Sequence, residues 1–312
     1  MKKIITITLN PAFDLHYGLD SFQVEKENYV KSVVCDAGGK GINISRALKF
    51  NGVDNLAYVI LGKENGAQFE QNMGDDGINY IPLYTEGRIR ENITIHPANA
   101  PETRISLDNF SISAKHLDDL YSKLEGELGA DVLVSFSGRI PKGVSKEEVI
   151  AFLKKIISTG AKLALDSNSL TPEDLIAIHP WFIKPNEQEI ASFLKREITT
   201  AEDAAVVACE LVGKGLAEEV MISLGGLGSA WSDGKERVVI SVPRIEAPVS
   251  TIGAGDSTVA GYLAATAKDY THGDALRLAC AFGTSACMTE GTRPPMPEDV
   301  KKIFENITVA NV

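Results

Sequence analysis

Ser250-Thr251-Ile252-Gly253-Ala254-Gly255-Asp256-Ser257-Thr258-Val259-Ala260-Gly261-Tyr262-Leu263 runs small residues straight into an aspartate and then into an apolar, helix-like stretch. Small residues let backbone N–H groups approach an anion closely, and a helix N-terminus adds positive dipole at the same place. Two readings of Asp256 stay open on local sequence. It is an N-cap closing a glycine turn, or it is a base that takes a proton from an attacking hydroxyl while the 253–256 backbone steadies a phosphoryl group.

Working outward, short apolar runs at 3–9, 55–61, 131–137, 162–166 and 219–224 predict strands. Helix-like patterns at 41–51, 64–73, 113–128, 145–158, 186–194 and 201–215 fall between or after them. Ser145-Lys146-Glu147-Glu148 is a capping box, and Thr171-Pro172-Glu173-Asp174 opens a further helix with Pro at its first position. Such alternation implies parallel βαβ units, hence an α/β fold with helices on both faces of the sheet. From 254 onward the chain reads as mainly helical, at 256–268, 272–289 and 297–307.

Residues 12–35 and 86–110 break the alternation with polar-alternating, strand-like pieces such as Ile89-Arg90-Glu91-Asn92-Ile93-Thr94-Ile95-His96. They are read as one small discontinuous sheet, a lid that excludes water; a pair of ordinary edge hairpins is the plainer alternative. The expected division is a core of 1–11, 36–85 and 111–312 with a lid of 12–35 and 86–110.

Composition narrows the class. The 312 residues are 44% hydrophobic and 23% charged, with no apolar run near the roughly 20 residues that span a bilayer. A net charge of −11 argues against nucleic acid or an anionic membrane as partner. Cysteines 35, 209, 280 and 287 show no paired spacing and fit reduced thiols in a cytoplasmic protein, and the histidines show no metal-site spacing. The opening Met1–Leu9 alternates with Thr and meets Asn10-Pro11, which reads as a first strand rather than an export signal.

A second glycine cluster, Ala37-Gly38-Gly39-Lys40-Gly41-Ile42-Asn43, precedes a helix but matches neither a Walker loop nor a dinucleotide fingerprint. Gly225-Gly226-Leu227-Gly228 follows a strand yet leads into another strand pair, so it is no fingerprint either. A nucleotide must then be held some other way, and the 253–256 cradle is the candidate. In Lys184-Pro185-Asn186-Glu187-Gln188-Glu189, Asn186 and Glu189 form a capping box or stand near triphosphate oxygens with Mg²⁺ held through water; both readings use the same residue types. Arg88 and Arg90 share a strand face by the period of two, Arg104 lies on the next strand-like piece, and Arg139 follows Ser137-Gly138 at a strand end. Each is a solvated surface charge or a fork for phosphate.

The glycine clusters at 38–47 and 251–263, with Asn186/Glu189 and Ile222-Ser223-Leu224-Gly225 between them, resemble in content and order the ribokinase-like PfkB carbohydrate kinase family. The resemblance covers essentially the full length. It implies a ribokinase-like three-layer α/β/α sandwich with a mainly parallel sheet and a small lid. Thr8-Leu9-Asn10-Pro11-Ala12-Phe13-Asp14 is similar to the hexose-phosphate branch, and Lys40 to its 1-phosphofructokinase and tagatose-6-phosphate kinase members. The implied activity is an ATP- and Mg²⁺-dependent phosphotransfer to a ketohexose monophosphate. Fructose 1-phosphate comes first; tagatose 6-phosphate, fructose 6-phosphate and a non-catalytic sensor are the alternatives.

By the same resemblance, Asp256 is the base and the N–H groups of Gly253, Ala254, Gly255 and Asp256 form the anion hole. Asp14, Gly39 and Asn43 hold sugar hydroxyls, while Lys40, Arg90 and Arg104 meet the phosphate already on the substrate. Asn186 and Glu189 sit at the Mg-nucleotide, with Ser223, Gly225 and Gly228 near its phosphates or ribose. The branch usually has Ser-Gly-Ser-Leu-Pro where this chain has Ser137-Gly138-Arg139-Ile140-Pro141, so Arg139 bears on substrate choice. Sugar phosphate and ATP are the expected partners, with a homodimer paired through the lid by analogy.

Overall fold

The computed structural model describes residues 1–108 and 110–312; residue 109, inside the second expected lid segment, lies outside the described residues. The strands are β1 (Lys3–Thr8), β2 (Ala12–Leu19), β3 (Ser32–Gly38), β4 (Leu56–Gly62), β5 (Tyr80–Thr85), β6 (Arg90–Pro97), β7 (Thr103–Ser106), β8 (Val132–Ser137), β9 (Lys162–Asp166), β10 (Phe182–Ile183), β11 (Glu219–Ser223), β12 (Ser229–Ser232), β13 (Arg237–Ser241) and β14 (Thr308–Asn311). The helices are α1 (Lys40–Phe50), α2 (Gly66–Asp75), α3 (Ala114–Leu124), α4 (Lys146–Ser158), α5 (Pro172–Ile178), α6 (Glu187–Leu194), α7 (Ala201–Gly213), α8 (Ala254–Ala267), α9 (His272–Ala286) and α10 (Pro297–Asn306).

Ten strands form the main sheet in the order β14-β13-β12-β11-β10-β9-β8-β1-β4-β5. From β5 to β11 neighbours are parallel, and β12, β13 and β14 finish the edge as an antiparallel meander. A buried apolar cluster lies on each face. One gathers residues of α2 to α7, such as Phe69, Leu120, Leu153 and Ala208. The other gathers α1, α8, α9 and α10, such as Leu48, Leu263, Phe282 and Ile303. The three-layer α/β/α sandwich is therefore present, in the ribokinase-like form the motifs imply. Among the described residues no helix is long and apolar enough to cross a membrane.

Two strands escape the sequence pattern. β5 carries Pro82 and lies at the edge beyond β4, where a missing N–H is tolerated. β14 is a short, mostly exposed Thr-Val-Ala-Asn in a region that reads as helical, and it is recruited by β13 rather than by its own pattern. Both are edge strands held by pairing, which periodicity does not record.

The second sheet has the order β3-β2-β6-β7. β3 continues to Gly38, three residues past the expected segment end, and delivers the chain directly into α1. Arg88 lies before β6 and hydrogen-bonds Glu91 at 2.7 Å, so it does not share that strand's face with Arg90. The register places Asp14 beside Asp36 and Asn92, with His16 and Arg90 two residues to either side. Those residues therefore occupy one face. Leu15, Tyr17, Val33, Ile93, Ile95 and Ile105 occupy the other.

Candidate active site

Parallel α/β sheets gather ligands at the carboxyl ends of their strands. The residues singled out from sequence converge there, where β1, β8, β9, β10 and β11 end and α1 and α8 begin.

At α8 the N-cap is Gly253, in the left-handed region at φ +77°, and Asp256 stands three residues further in. The capping reading of Asp256 does not hold. Its carboxylate accepts from Asn43 Nδ2 at 2.8 Å and is 7% exposed. Ala254 N–H points to the Thr251 carbonyl at 3.4 Å, while the N–H groups of Gly253, Gly255 and Asp256 have no hydrogen-bond acceptor among the described residues. Those three are left to face an anion at the positive end of a 14-residue helix. Gly261 and Gly283 allow α9 to back this helix closely: a Cβ at 283 would lie 2.1 Å from Thr258 Oγ1.

Burial pushes the Asp256 carboxyl up to about 6; the Asp166 charge adds to the rise, and Lys40, Lys184 and the Asn43 hydrogen bond oppose it. Lys40, first residue of α1, donates to Asp166 Oδ1 at 2.9 Å. Burial works against the Lys40 ammonium, yet Asp166, Asp256 and Glu189 hold it above its ordinary value. Burial likewise disfavours the Asp166 carboxylate, and the charges of Lys40 and Lys184 outweigh it and hold the group below its usual range. Lys184 is buried beside the α8 entry, where a Cβ on Gly255 would lie 3.2 Å from its Nζ. Asp256, Lys40, Asp166 and Lys184 thus form one electrostatic unit.

A second unit lies on the polar face of the small sheet. Asn92 donates to Asp14 Oδ1 at 2.9 Å, and Arg90 donates to Asn92 Oδ1 at 2.9 Å. Burial raises the Asp14 carboxyl, against the Asn92 hydrogen bond and the charges of Arg46, His16 and Arg90. Arg90 is depressed by burial and by the like charge of Arg139, with Asp14 and Asp108 opposing. Arg90 thus stands beside Asp14, with exposed Arg139 close enough for its charge to act on Arg90. Gly38 and Gly39 make room: a Cβ at 38 would lie 2.1 Å from Asp14 Oδ2, and one at 39, where φ is +111°, would lie 3.1 Å from Pro11 Cα. Arg104 shares the polar face by register but ion-pairs with Glu102.

Asn186 and Glu189 form the capping box of α6: Asn186 accepts from Glu189 N at 2.8 Å, and Glu189 Oε2 accepts from Asn186 N at 2.9 Å. Glu189 also borders a small cavity of about 20 Å³, lined with it by Asp166, Ser167 and Lys184 among apolar neighbours. Asn186 bridges to Ser223 at the end of β11. Gly225 and Gly228 follow in a tight turn; Gly228, at φ +94°, packs on the Ile240 carbonyl, where a Cβ would approach to 2.0 Å.

Sequence reasoning passed over Asp166, Lys184, Asn92 and Arg46. Asp166 ends a recognised strand run and Lys184 precedes the Pro185 that ends another, so strand ends were the available signal. Asn92 and Arg46 carried none.

The model of the pfkB family carbohydrate kinases matches residues 7–299. The 1-phosphofructokinase of Haemophilus influenzae is 31% identical over 287 residues, covering 92% of this chain and 91% of that protein. The 1-phosphofructokinase of Borreliella burgdorferi is 31% identical over 310 residues, covering 99% of each. A crystal structure of phosphofructokinase-2 from Escherichia coli in complex with potassium superposes with a TM-score of 0.90 at 25% identity, covering 98% of this chain and 99% of that one.

Proposed function

The chain belongs to the pfkB family of carbohydrate kinases and is a phosphotransferase, and from that premise we propose that its acceptor is a ketohexose monophosphate, fructose 1-phosphate ahead of its isomers. One observation carries the choice of a phosphorylated acceptor: two separate sets of cations. Lys40 and Lys184 surround Asp256 at the transfer end, whereas Arg90 lies beside Asp14 and feels the like charge of Arg139. An unphosphorylated sugar has no use for the second set, and paired guanidinium groups suit phosphate. The 1-phosphofructokinases among the relatives favour fructose 1-phosphate.

In this reading Asp14, Asn43 and Gly39 orient the sugar, and Arg90 with Arg139 holds the phosphate it already carries. Asp256 removes the proton of the free primary hydroxyl as that oxygen attacks the γ-phosphorus of ATP. The new O–P bond forms as the bond to the ADP oxygen breaks, and the proton stays on the carboxyl. The unpaired N–H groups of 253, 255 and 256, with Lys40 and Lys184, face the charge growing on the phosphoryl oxygens. Lys40 serves this end rather than the acceptor phosphate, since its partners are Asp166, Asp256 and Glu189. Ser223, Gly225 and Gly228 line the turn offered to the nucleotide. Glu189 has an oxygen outside its capping bond, which suits Mg²⁺ held through water; the ion neutralises the triphosphate when bound.

The four cysteines are free thiols, which supports the cytoplasm as the working compartment. Closure of the 12–35 and 86–110 segments over the acceptor would exclude water from the transfer.

A coupled ADP-release assay across fructose 1-phosphate, fructose 6-phosphate, tagatose 6-phosphate and the free ketohexoses tests the reading. The highest kcat/KM is expected with fructose 1-phosphate and the lowest with free sugars. A preference for tagatose 6-phosphate would replace the named substrate, and a preference for free sugar would remove the role of Arg90 and Arg139.

A further inference from the structure

We propose that Arg46 is a positioning residue for the phosphoryl transfer, fixing the Asn43 amide so that its NH₂ group, and not its oxygen, meets Asp256. Arg46 stands one turn after Asn43 on α1 and is 5% exposed. Its Nη1 donates to Asn43 Oδ1 at 3.2 Å, its Nε to Asp76 Oδ2 at 2.7 Å and its Nη2 to the Ala37 carbonyl. Asn43 Nδ2 then donates to Asp256 Oδ2 at 2.8 Å. The chain Asp76–Arg46–Asn43–Asp256 reaches from the end of α2 to the reacting carboxylate.

The preference is electrostatic. An amide has one acceptor end and one donor end, and the guanidinium carries only donors. With Arg46 donating to Oδ1, a flipped Asn43 would set NH₂ against the guanidinium and oxygen against Asp256. That alternative is tolerable only when Asp256 is protonated. Arg46 therefore biases Asn43 toward the orientation that stabilises the ionised carboxylate, the form a base requires. The other groups facing Asp256 are Lys40, Lys184 and Asp166, none of which contacts Arg46 among the described residues. The three-way fork also explains a buried arginine at this point: a lysine offers one compact ammonium and cannot serve three directions at once.

The proposal rests on Asp256 being the base. Its test is the pH profile of kcat/KM for the full-length enzyme, with Arg46→Lys. This variant keeps the positive charge near Asp14, but its ammonium is drawn to Asp76. The acid limb is expected to move up by roughly one pH unit, the scale of one hydrogen bond to a charged group. Activity at pH 6 then falls roughly fivefold, the plateau at pH 8–9 recovers to within about twofold, and the KM for ATP is unchanged. A purely structural role would lower the plateau and the melting temperature and leave the limb in place; that result in a folded variant overturns the proposal. Asp76→Asn, at a 36%-exposed side chain, loosens the same anchor from outside the core and is expected to move the limb the same way by less. If Arg46→Lys does not fold, an unmoved limb in Asp76→Asn overturns the proposal. A wild-type profile without an acid limb overturns the assignment of the base, and the role of Arg46 with it.

Discussion

Asp256 is held between groups that pull its proton in opposite directions: burial and Asp166 retain it, while Asn43, Lys40 and Lys184 release it. The balance leaves the carboxyl at about 6 against 3.8 for an ordinary aspartate, low enough to be ionised at neutral pH and basic enough to accept a proton. Activity should therefore fall along an acid limb near pH 6. The folded protein binds this proton more tightly than the unfolded chain does. The group's contribution to stability is thus full below pH 3.8 and is lost as the pH rises through about 6. Asp256→Asn removes that loss. It is expected to lower kcat by about 10²–10⁴-fold with ATP affinity kept. It should also melt above the parent at pH 7–8, by roughly 3 kcal/mol, with the difference vanishing below about pH 4. Activity and melting curves across pH check both halves, and an active Asp256→Asn would remove Asp256 as the base.

At the scale of elements, α6 is the instructive case. Its capping box is plainly formed, so Asn186 and Glu189 have a structural role whatever else they face. Asn186→Ala should cost about 1 kcal/mol of stability. Asn186→Asp keeps the cap and the melting temperature, but brings a negative charge to the rim shared with Ser223, and is expected to raise the KM for ATP severalfold. An unchanged KM would leave Asn186 as a cap alone. The box at Ser145 and the helix start at Thr171 were legible beforehand because their signals lie within one turn of chain. β5 and β14 were not, because what makes them strands is the neighbour each pairs with. The reading of Asp256 as an N-cap failed for a related reason: glycine at 253 takes the left-handed cap position at no steric cost, leaving the aspartate inside the first turn.

At the scale of the molecule, the small sheet has two unlike faces. The polar one carries Asp14, Asn92 and Arg90; the other carries Val33 and Ile105, 60% and 47% exposed. We propose that apolar side chains this exposed on one sheet face pair two copies of the chain as a homodimer. Val33→Asp combined with Ile105→Asp is expected to give a monomer in light scattering, where the parent gives a dimer; a monomeric parent would end that reading. On the polar side His16 stacks with His96 and packs on Gly291, where a Cβ would lie 2.7 Å from its Nε2. The neighbouring Thr292 lies 3.6 Å from a Cβ placed on Gly253, so the small sheet and the anion-binding turn share one loop as support.

Sequence alone determined the strand–helix alternation, the glycine-to-aspartate entry of α8, the second glycine cluster and the family they resemble. Those features are local: periodicity, caps and backbone freedom act over a few residues, and a motif carries its spacing with it. Only the tertiary structure decided which charges meet. Lys40 pairs with Asp166 across 126 positions and Asn43 with Asp256 across 213, and Arg46 is tied to Asp76 while Arg104 turns to Glu102. Coulomb forces and desolvation depend on distance and burial in space, and a linear chain states neither.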